Sequence, residues 1–326
     1  MTSEPFGTTT DDQPVDRIQI GAGRLRVAVL TWGAVLHDVR LQGHPHSLVL
    51  TAPELAPYEG PMSYFGSVIG PVVNRITNAR APIGGRMHQF EANQDGRHLL
   101  HSGSVGTHLK VWRIAAMDEA SVTLALTLPD GEGGFPGNRE IEVTYRIDAP
   151  ACLTMTIKAT TDQTTLMNVA GHSYWNLTGA DTFEGHQLQI NAGHMLPTDS
   201  DGLPTGEVLP VDGTVYDFRE LRLVEAATPP LDNNFCLTDH SGELRAAAHF
   251  VASGSVAMAL ETTEPGLQVY DARNTDEAGF APYAGIALEA QRWPDAPNNA
   301  GFPSISIEPD QTYRQVTRMT FSDADT

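Results

Sequence analysis

Two segments of the chain place a titratable side chain among aromatic and amide residues. His172 lies in the segment NVAGHSYWNLTG, and Glu289 lies in ALEAQRWPDAPN. Imidazole and carboxyl groups can give and take protons near neutral pH, so the two segments predict general acid and base chemistry. Aromatic rings pack on the C–H faces of sugars while amides and carboxylates bind hydroxyls. Tyr174, Trp175 and Trp293 therefore predict a small sugar as the substrate.

Three further segments carry polar residues beyond what strands and turns require. MSYFGSVIGPVVNR ends in Asn74 and Arg75, and an Arg fork there can bind two sugar hydroxyls. HSGSVGTHLKVW begins at His101, and the third group joins Asp232 in LDNNF to Gln268 in LQVY. Each residue also has an ordinary structural explanation, namely a surface Arg, a loop-holding His, a turn Asp or a solvated strand Gln.

The charge balance excludes two classes of partner. The 326 residues include 20 Lys and Arg against 40 Asp and Glu, a formal net charge of −20. Such a surface repels phosphate backbones and anionic lipid, so neither nucleic acid nor a membrane is an expected partner. No apolar run approaches the roughly 18 residues of a membrane span. The opening segment MTSEPFGTTTDDQP lacks the cationic start and apolar centre of an export signal, which favours a cytoplasmic protein.

The composition is compatible with one large globular domain or two smaller ones. With 40% hydrophobic residues, 30 Gly and 22 Pro, the chain can bury a sizeable core, and no break in composition divides it. We expect a single domain over residues 15–326, preceded by a flexible polar tail over residues 1–14. Cys152 and Cys236 are the only cysteines, and Cys152 falls in a strand pattern typical of a buried thiol. Neither a disulfide scaffold nor a thiolate zinc site is expected.

Alternation with a period of two recurs along the chain, whereas helical periodicity hardly appears. In LTMTIKAT, the residues Leu153, Met155, Ile157 and Ala159 fall on one side of a predicted strand. SVTLALTL, SVAMALET and, more weakly, RLRVAVL repeat the pattern. Clusters of turn residues lie between such runs, at residues 129–138, 199–206 and 295–303. This combination predicts an all-β fold, a large antiparallel β-sandwich.

Taken together, segments in order over most of the chain resemble the aldose 1-epimerase family. The segments that carry the resemblance are YFGSVIGPVVNRI, HSGSVGTHLKVW, DGEGGFPGN, GHSYWNLTG, LPTDSDGLPTGE, VYDFR, LDNNF, GLQVY and LEAQRWPDAPNNAGFPS. Their number and their order make a chance similarity implausible.

The resemblance implies a galactose mutarotase-like supersandwich and an isomerase that interconverts the α and β anomers of a free aldose of the galactose or glucose type. It implies that His172 is the general acid and Glu289 the general base, with no metal and no organic cofactor. The sugar contacts that it implies are Asn74, Arg75, His101, Tyr174, Asp232 and Gln268. The expected partner is a monosaccharide, and the expected state is a monomer or homodimer.

Several positions depart from the family pattern. Pro71 stands where many members carry Arg, and Gly171 stands where the family usually has Asn just before the histidine. Thr107 and His108 replace the usual Phe-Asp, and Asn233 replaces a common His. None of these changes removes a proton-transfer group, but they leave open which aldose is bound. Gly171 also predicts a looser backbone around His172.

Two other functions are compatible with the residues. A glycoside hydrolase would use Asp232 and Glu289 as its carboxylate pair and would turn over methyl glycosides. A mutarotase cannot, because its reaction needs a free anomeric hydroxyl. The second alternative is a sugar-binding protein without catalysis, but binding alone requires no matched acid and base, so the presence of both His172 and Glu289 argues against it.

Overall fold

The fold follows from alternating burial along the strands. A computed structural model of the protein describes residues 2–276 and 278–325. In the strand Arg139–Asp148, every second side chain is buried and those between are exposed or half-buried. A strand of this kind has one apolar and one polar face, and it is stable only when the apolar face is covered by another layer. No α-helix occurs among the described residues.

The strands are numbered in chain order. The first thirteen are β1 (Thr2–Thr8), β2 (Pro14–Ala22), β3 (Leu25–Leu30), β4 (Leu36–Leu41), β5 (Val68–Ile69), β6 (Arg75–Ile76), β7 (Arg80–Ile83), β8 (Arg86–Gln89), β9 (Leu99–Leu100), β10 (Arg113–Met117), β11 (Ser121–Leu128), β12 (Arg139–Asp148) and β13 (Cys152–Thr161).

The second half of the chain continues the series. These strands are β14 (Thr165–Leu166), β15 (Ala170–Gly171), β16 (Tyr174–Trp175), β17 (His186–Ile190), β18 (His194–Met195), β19 (Leu209–Pro210), β20 (Arg222–Leu223), β21 (Asp232–Cys236), β22 (Arg245–Ala252), β23 (Val256–Thr262), β24 (Gly266–Tyr270), β25 (Ile286–Gln291), β26 (Ser306–Ile307) and β27 (Tyr313–Asp323). Short 3₁₀ helices lie at Ala56–Glu59, Thr77–Ala79, Gly103–Val105, Thr107–Leu109, Glu132–Gly134 and Ala296–Asn298.

Three large sheets organise these strands. The widest has nine strands in the order β10-β11-β12-β13-β27-β23-β22-β17-β20. A second has six strands in the order β16-β25-β24-β21-β18-β19, and a third has four in the order β1-β2-β3-β4. The remaining short strands pair as β14-β26, β15-β5, β6-β9 and β7-β8, and the paired strands are antiparallel throughout.

The main hydrophobic core joins the nine-stranded and six-stranded sheets. Ile141 and Val143 of β12 belong to the same buried cluster as Phe235 of β21, Leu267 of β24 and Leu288 of β25. The two sheets therefore pack as the layers of a large antiparallel sandwich, which confirms the predicted fold class. The other face of the six-stranded sheet does not pack against the nine-stranded sheet.

The predicted strands agree with the structure. LTMTIKAT lies within β13, and the predicted inward residues are buried while Lys158 is exposed. SVTLALTL is β11, SVAMALET contains β23, and RLRVAVL contains β3. The predicted turn at residues 129–138 contains a short 3₁₀ helix, as does that at residues 295–303.

The prediction of a flexible tail over residues 1–14 is wrong for most of that segment. Residues 2–8 form β1, which pairs antiparallel with β2 from Thr2 opposite Gln19 to Thr8 opposite Pro14. β1 is an edge strand whose side chains are mostly exposed, so its sequence shows no alternation of apolar and polar residues. Met1 lies outside the described residues. In the described part of the chain, no helix has the length and hydropathy needed to span a membrane.

Candidate active site

A cleft of about 310 Å³ opens above the free face of the six-stranded sheet. Seven of the eight residues predicted from the sequence line it; the full lining is Pro61, Tyr64, Phe65, Asn74, Arg75, Leu100, His101, His172, Tyr174, Asp232, Tyr270, Asn274, Thr275 and Glu289. Gln268 is the exception, because it lies beneath the cleft rather than in its wall. A cleft of this size, with polar groups among aromatic rings, suits a small polar ligand.

Sheet register explains how His172 and Glu289 meet across more than a hundred positions of sequence. Tyr174 of β16 lies opposite Ala287 of β25 in an antiparallel ladder. His172 lies two residues before Tyr174, and Glu289 lies two residues after Ala287. Because the two segments run antiparallel, this register places His172 and Glu289 side by side. Nε2 of His172 lies 3.5 Å from Oε1 of Glu289, and both side chains are buried.

Backbone hydrogen bonds fix His172 from both sides. Its N–H donates to the carbonyl of Ser67 at 2.9 Å, and its carbonyl accepts from the N–H of Gly66 at 3.0 Å. The next residue before it, Gly171, pairs with Val68 in the β5–β15 ladder. These bonds fix the main chain of His172. Gly171 does not adopt a left-handed backbone conformation. The sequence expectation of a loose backbone here is therefore not supported by this pairing.

Burial acts in opposite directions on the two groups. It lowers the pKa of His172 to about 4, because the imidazolium loses its hydration. Burial raises the pKa of Glu289 well above its usual value, and the negative charge of Asp232 raises it further, whereas Arg75 opposes the shift. Burial therefore disfavours the charged form of each group, the imidazolium of His172 and the carboxylate of Glu289.

Asn74 and His101 form a second hydrogen-bonded group, next to the end of the β6–β9 pair where Arg75 lies opposite Leu100. The N–H of His101 donates to the Asn74 carbonyl at 2.9 Å, and the N–H of Asn74 donates to Nδ1 of His101 at 3.1 Å. Both residues have positive φ, 64° for Asn74 and 51° for His101, a conformation that non-glycine residues adopt rarely and that Asn and His tolerate better than most.

The ring orientation of His101 follows from this bond. Burial, followed by the nearby His172, lowers the pKa of His101 well below its usual value, so the ring is neutral. Because Nδ1 accepts a hydrogen bond, the single ring proton lies on Nε2. His101 is thus a neutral hydrogen-bond donor at the cleft wall.

Arg75, Asp232 and Gln268 form a third unit. Nη2 of Arg75 lies 3.7 Å from Oδ2 of Asp232, and Nε2 of Gln268 donates to Oδ1 of Asp232 at 2.7 Å. Nε of Arg75 donates to Gln94 at 3.0 Å. The Asp232 carboxylate is therefore fixed from two sides, and the predicted sugar contact Gln268 acts in the structure as its support.

The aromatic residues of the cleft differ from those first expected. Tyr174 lines it, as predicted, but Trp175 points to the opposite side of β16 and packs in the core 5.8 Å from the ring of Phe321. Trp293 lies in another buried cluster, where its indole N–H donates to the carbonyl of Pro265 at 3.2 Å. The expectation that these two tryptophans face the substrate is wrong, because neighbouring strand residues point to opposite faces and Trp293 lies beyond the end of β25.

Other aromatic side chains line the cleft where the two tryptophans were expected. Tyr64 lies 4.7 Å from the ring of His101 and 5.9 Å from that of His172, and Phe65 lies 4.4 Å from Tyr174. Tyr270 could have been identified from the sequence, because it follows Gln268 by two residues in β24 and must share its face. Asn274 and Thr275 lie in a loop whose sequence shows no comparable pattern.

Positions that depart from the family pattern lie mostly outside the cleft. Pro71 and Gly171 do not line it, and Gly171 instead faces Met155, whose methyl carbon would lie 3.2 Å from an added Cβ. His108 is buried behind Tyr64, with the ring centres 5.2 Å apart. Within residues 2–276 and 278–325, His, Cys, Asp and Glu side chains nowhere gather in threes close enough to hold a metal ion.

Comparisons with known proteins agree with this architecture. The model of the aldose 1-epimerase family matches residues 16–320. Galactose mutarotase of Sus scrofa is 32% identical over 326 aligned residues, covering 94% of each protein, and that of Bos taurus is 33% identical over 98% of this chain and 96% of its own. The crystal structure of galactose 1-epimerase from Lactobacillus acidophilus NCFM has a TM-score of 0.87 at 25% identity, covering 99% of this chain and 98% of that one. These matches confirm the resemblance and the mutarotase-like sandwich, and the chain belongs to the aldose 1-epimerase family.

Proposed function

We propose that the protein is an isomerase that interconverts the α and β anomers of a free aldose. The observation that carries the proposal is the contact between Nε2 of His172 and Oε1 of Glu289, 3.5 Å apart inside a sugar-sized cleft. Mutarotation requires one group that takes a proton and one that gives a proton, and the pair supplies both. The family to which the chain belongs, and the names of its relatives, support the same reaction.

The reaction needs the proton of the pair on the imidazole. Burial disfavours both charged forms, the imidazolium and the carboxylate. A proton that passes from Glu289 to His172 across the 3.5 Å contact gives an imidazolium and a carboxylate, the form in which His172 is the acid and Glu289 the base. The polar hydroxyls of a bound sugar stabilise that charged form, because they replace part of the hydration that burial removes.

Each step then balances with respect to protons. Glu289 takes the proton of the C1 hydroxyl while His172 gives its proton to the ring oxygen, and the bond between C1 and the ring oxygen breaks. The open-chain aldehyde rotates about the C1–C2 bond. His172 then takes the proton back from the C5 hydroxyl as this oxygen attacks the other face of C1, and Glu289 returns its proton to the oxygen on C1. Positioned acid and base groups typically contribute about 10²–10⁴-fold each.

The remaining polar residues bind the hydroxyls of the sugar. We assign hydrogen-bond donation to Asn74, Arg75 and the Nε2–H of His101, and hydrogen-bond acceptance to the carboxylate of Asp232. Tyr174, with the neighbouring aromatic rings, packs on the C–H face of the sugar. Gln268 contributes by holding Asp232 in place.

The organisation of the protein is part of the proposal. We expect one domain, in which β1 belongs to the fold, and a monomer or homodimer. Both cysteines are free thiols, which favours a reducing compartment such as the cytoplasm. A single thermal unfolding transition, the mass in solution and the location of a tagged chain in its native cell check these three points.

Polarimetry tests the function directly. With freshly dissolved α-D-galactose or α-D-glucose, we expect the protein to accelerate the decay of optical rotation, and xylose and arabinose complete a panel that ranks the aldoses. Methyl α-D-galactoside is the control, because it has no free anomeric hydroxyl and its rotation should stay constant. A lack of acceleration with all four aldoses would contradict the proposal, and a change with the methyl glycoside would indicate a hydrolase.

A further inference from the structure

The polar face of the six-stranded sheet continues beyond the cleft into the interior. In one row of the sheet, Asn234, Gln268 and Glu289 lie opposite one another on β21, β24 and β25. The next row inward consists of Cys236, Gly266 and Gln291. Residues opposite one another in an antiparallel sheet project from the same face, so Asn234 and Gln291 share the face of Glu289. We call these two residues the buried amide layer.

Polar atoms of this layer are buried without a partner. Gln291 is fully buried and Asn234 nearly so. Among the residues that the structure describes, none gives a hydrogen bond to Oδ1 of Asn234, and none bonds either amide atom of Gln291. Oε2 of Glu289 is buried and unpartnered in the same way. Buried polar atoms are almost always satisfied in native proteins, and an unsatisfied one costs about 1–3 kcal/mol.

Among the described residues, these polar atoms are left unpartnered although their side chains are neighbours on one sheet face. Diagonal neighbours, with Cβ atoms about 7–8 Å apart, are within reach of long side chains, and on the same face Gln268 donates directly to Asp232. Gly266, opposite Gln291, has no side chain, and the amide of Asn234 occupies the position over it, where an added Cβ would collide with Oδ1 of Asn234. A buried water needs two to four polar partners, and this site offers them.

We propose that Asn234 and Gln291 hold buried water against Oε2 of Glu289, and that Gln291 is a positioning residue for the proton transfer at Glu289. The second half rests on the proposed function, whereas the first half does not. A water held by the amide of Gln291 donates a hydrogen bond to Oε2, which favours the ionised carboxylate that the reaction requires.

Other groups also act on Glu289 and must be kept constant in a test. The charged and titratable side chains that face it across the cleft are Tyr64, Arg75, His101, His172, Tyr174, Asp232 and Tyr270. None of them is changed by a substitution at Gln291, which does not line the cleft. A shift in the pH dependence of the variant therefore reports on the buried amide layer.

The first test is a crystal structure of the wild-type protein at high resolution. We expect water density within hydrogen-bond distance of Oε2 of Glu289 and of the amide of Gln291. Direct contact of Gln291 with Glu289, or a dry apolar space between them, would overturn the first half of the proposal whatever the activity of the enzyme.

The second test compares the pH profile of kcat for wild type, Gln291→Met and Thr165→Val. Methionine keeps the length of the side chain but removes its hydrogen bonds. We expect the acidic limb of the kcat profile to move up by about one pH unit, with an about tenfold loss of kcat on that limb and an unchanged KM. Thr165→Val is the matched control, because Thr165 is fully buried with an unpartnered hydroxyl in β14, outside the cleft.

The outcomes separate the two proposals. An unchanged pH limb in folded Gln291→Met would overturn the positioning role, as would an equal shift in Thr165→Val. A loss of thermal stability without a shift of the limb would show a structural role only, which also overturns it. An inactive wild-type protein would instead contradict the proposed function. The water density in the crystal structure would then still test whether Asn234 and Gln291 hold a buried water.

Discussion

The two faces of the six-stranded sheet have opposite compositions although they are built from the same strands. In β24, Leu267 and Val269 project into the main core, whereas Gln268 and Tyr270 project towards the cleft. β25 repeats this division, with Leu288 in the core and Glu289 in the cleft. The core face supplies stability, and the cleft face carries polar groups whose burial costs free energy. Substitutions one residue apart should therefore affect different properties.

The largest effect is expected at Glu289. Glu289→Gln removes the base while keeping the shape of the side chain, so kcat should fall by about 10²–10⁴-fold in polarimetry. Thermal stability should be retained, because the change removes a buried ionisable group. Glu264→Gln is the matched control, since Glu264 is fully buried but does not line the cleft, and its kcat should stay at the wild-type level. Equal losses of kcat in both variants would mean that any buried carboxyl matters.

The next effect concerns the core face at Leu267. Leu267→Ala leaves a cavity between the two sheets, and the free energy of unfolding should fall by about 2–5 kcal/mol, measured by denaturant titration. At a temperature where the variant is folded, kcat should change little, because Leu267 points away from the cleft. If Leu267→Ala lost as much kcat as Glu289→Gln, the core face and the cleft face would not have separate roles.

A smaller effect is expected one residue away. Gln268→Leu removes the hydrogen bond that holds Asp232, so KM should rise about tenfold while kcat changes less. Steady-state polarimetry over a range of sugar concentrations measures both constants. An unchanged KM would show that Arg75 alone is enough to position the Asp232 carboxylate.

The smallest effect is expected at Gly171. Its backbone is compatible with other residues, and an added Cβ would meet only the flexible end of Met155, at 3.2 Å. Gly171→Ala should raise the free energy of unfolding by about 0.4–1 kcal/mol, because the unfolded chain loses conformational freedom. Thermal melting measures this change. A destabilised variant would show that Met155 cannot give way.

The fold was predictable where strands are long and half-buried. In β11 and β13, alternation marks both the strand and its buried face. β5, β15 and β16 have only two residues each, so they contain no period to detect, although β15 and β16 flank His172 and β5 pairs with β15. β1 was not predicted for another reason: an exposed edge strand has no buried face, so its sequence shows no alternation.

Most residues that were predicted from the sequence line the cleft, but their arrangement was not predictable. Motif resemblance identified the seven predicted residues that line the cleft, because each is a polar residue in a distinctive string. No local signal reveals that β16 pairs with β25, and this pairing of distant segments is what brings His172 to Glu289. The misassignment of Trp175 has a related cause, since its face depends on the strand that contains it.

The central claim is that His172 and Glu289 act as one proton-transfer unit. The most direct test measures the mutarotation rates of His172→Asn, Glu289→Gln and the double variant on the aldose that the wild type turns over fastest. We predict that each single variant falls close to the uncatalysed rate and that the double variant is no slower than either, because residues that act as a unit are not additive. Wild-type activity in either single variant, or losses that simply multiply in the double variant, would contradict the account.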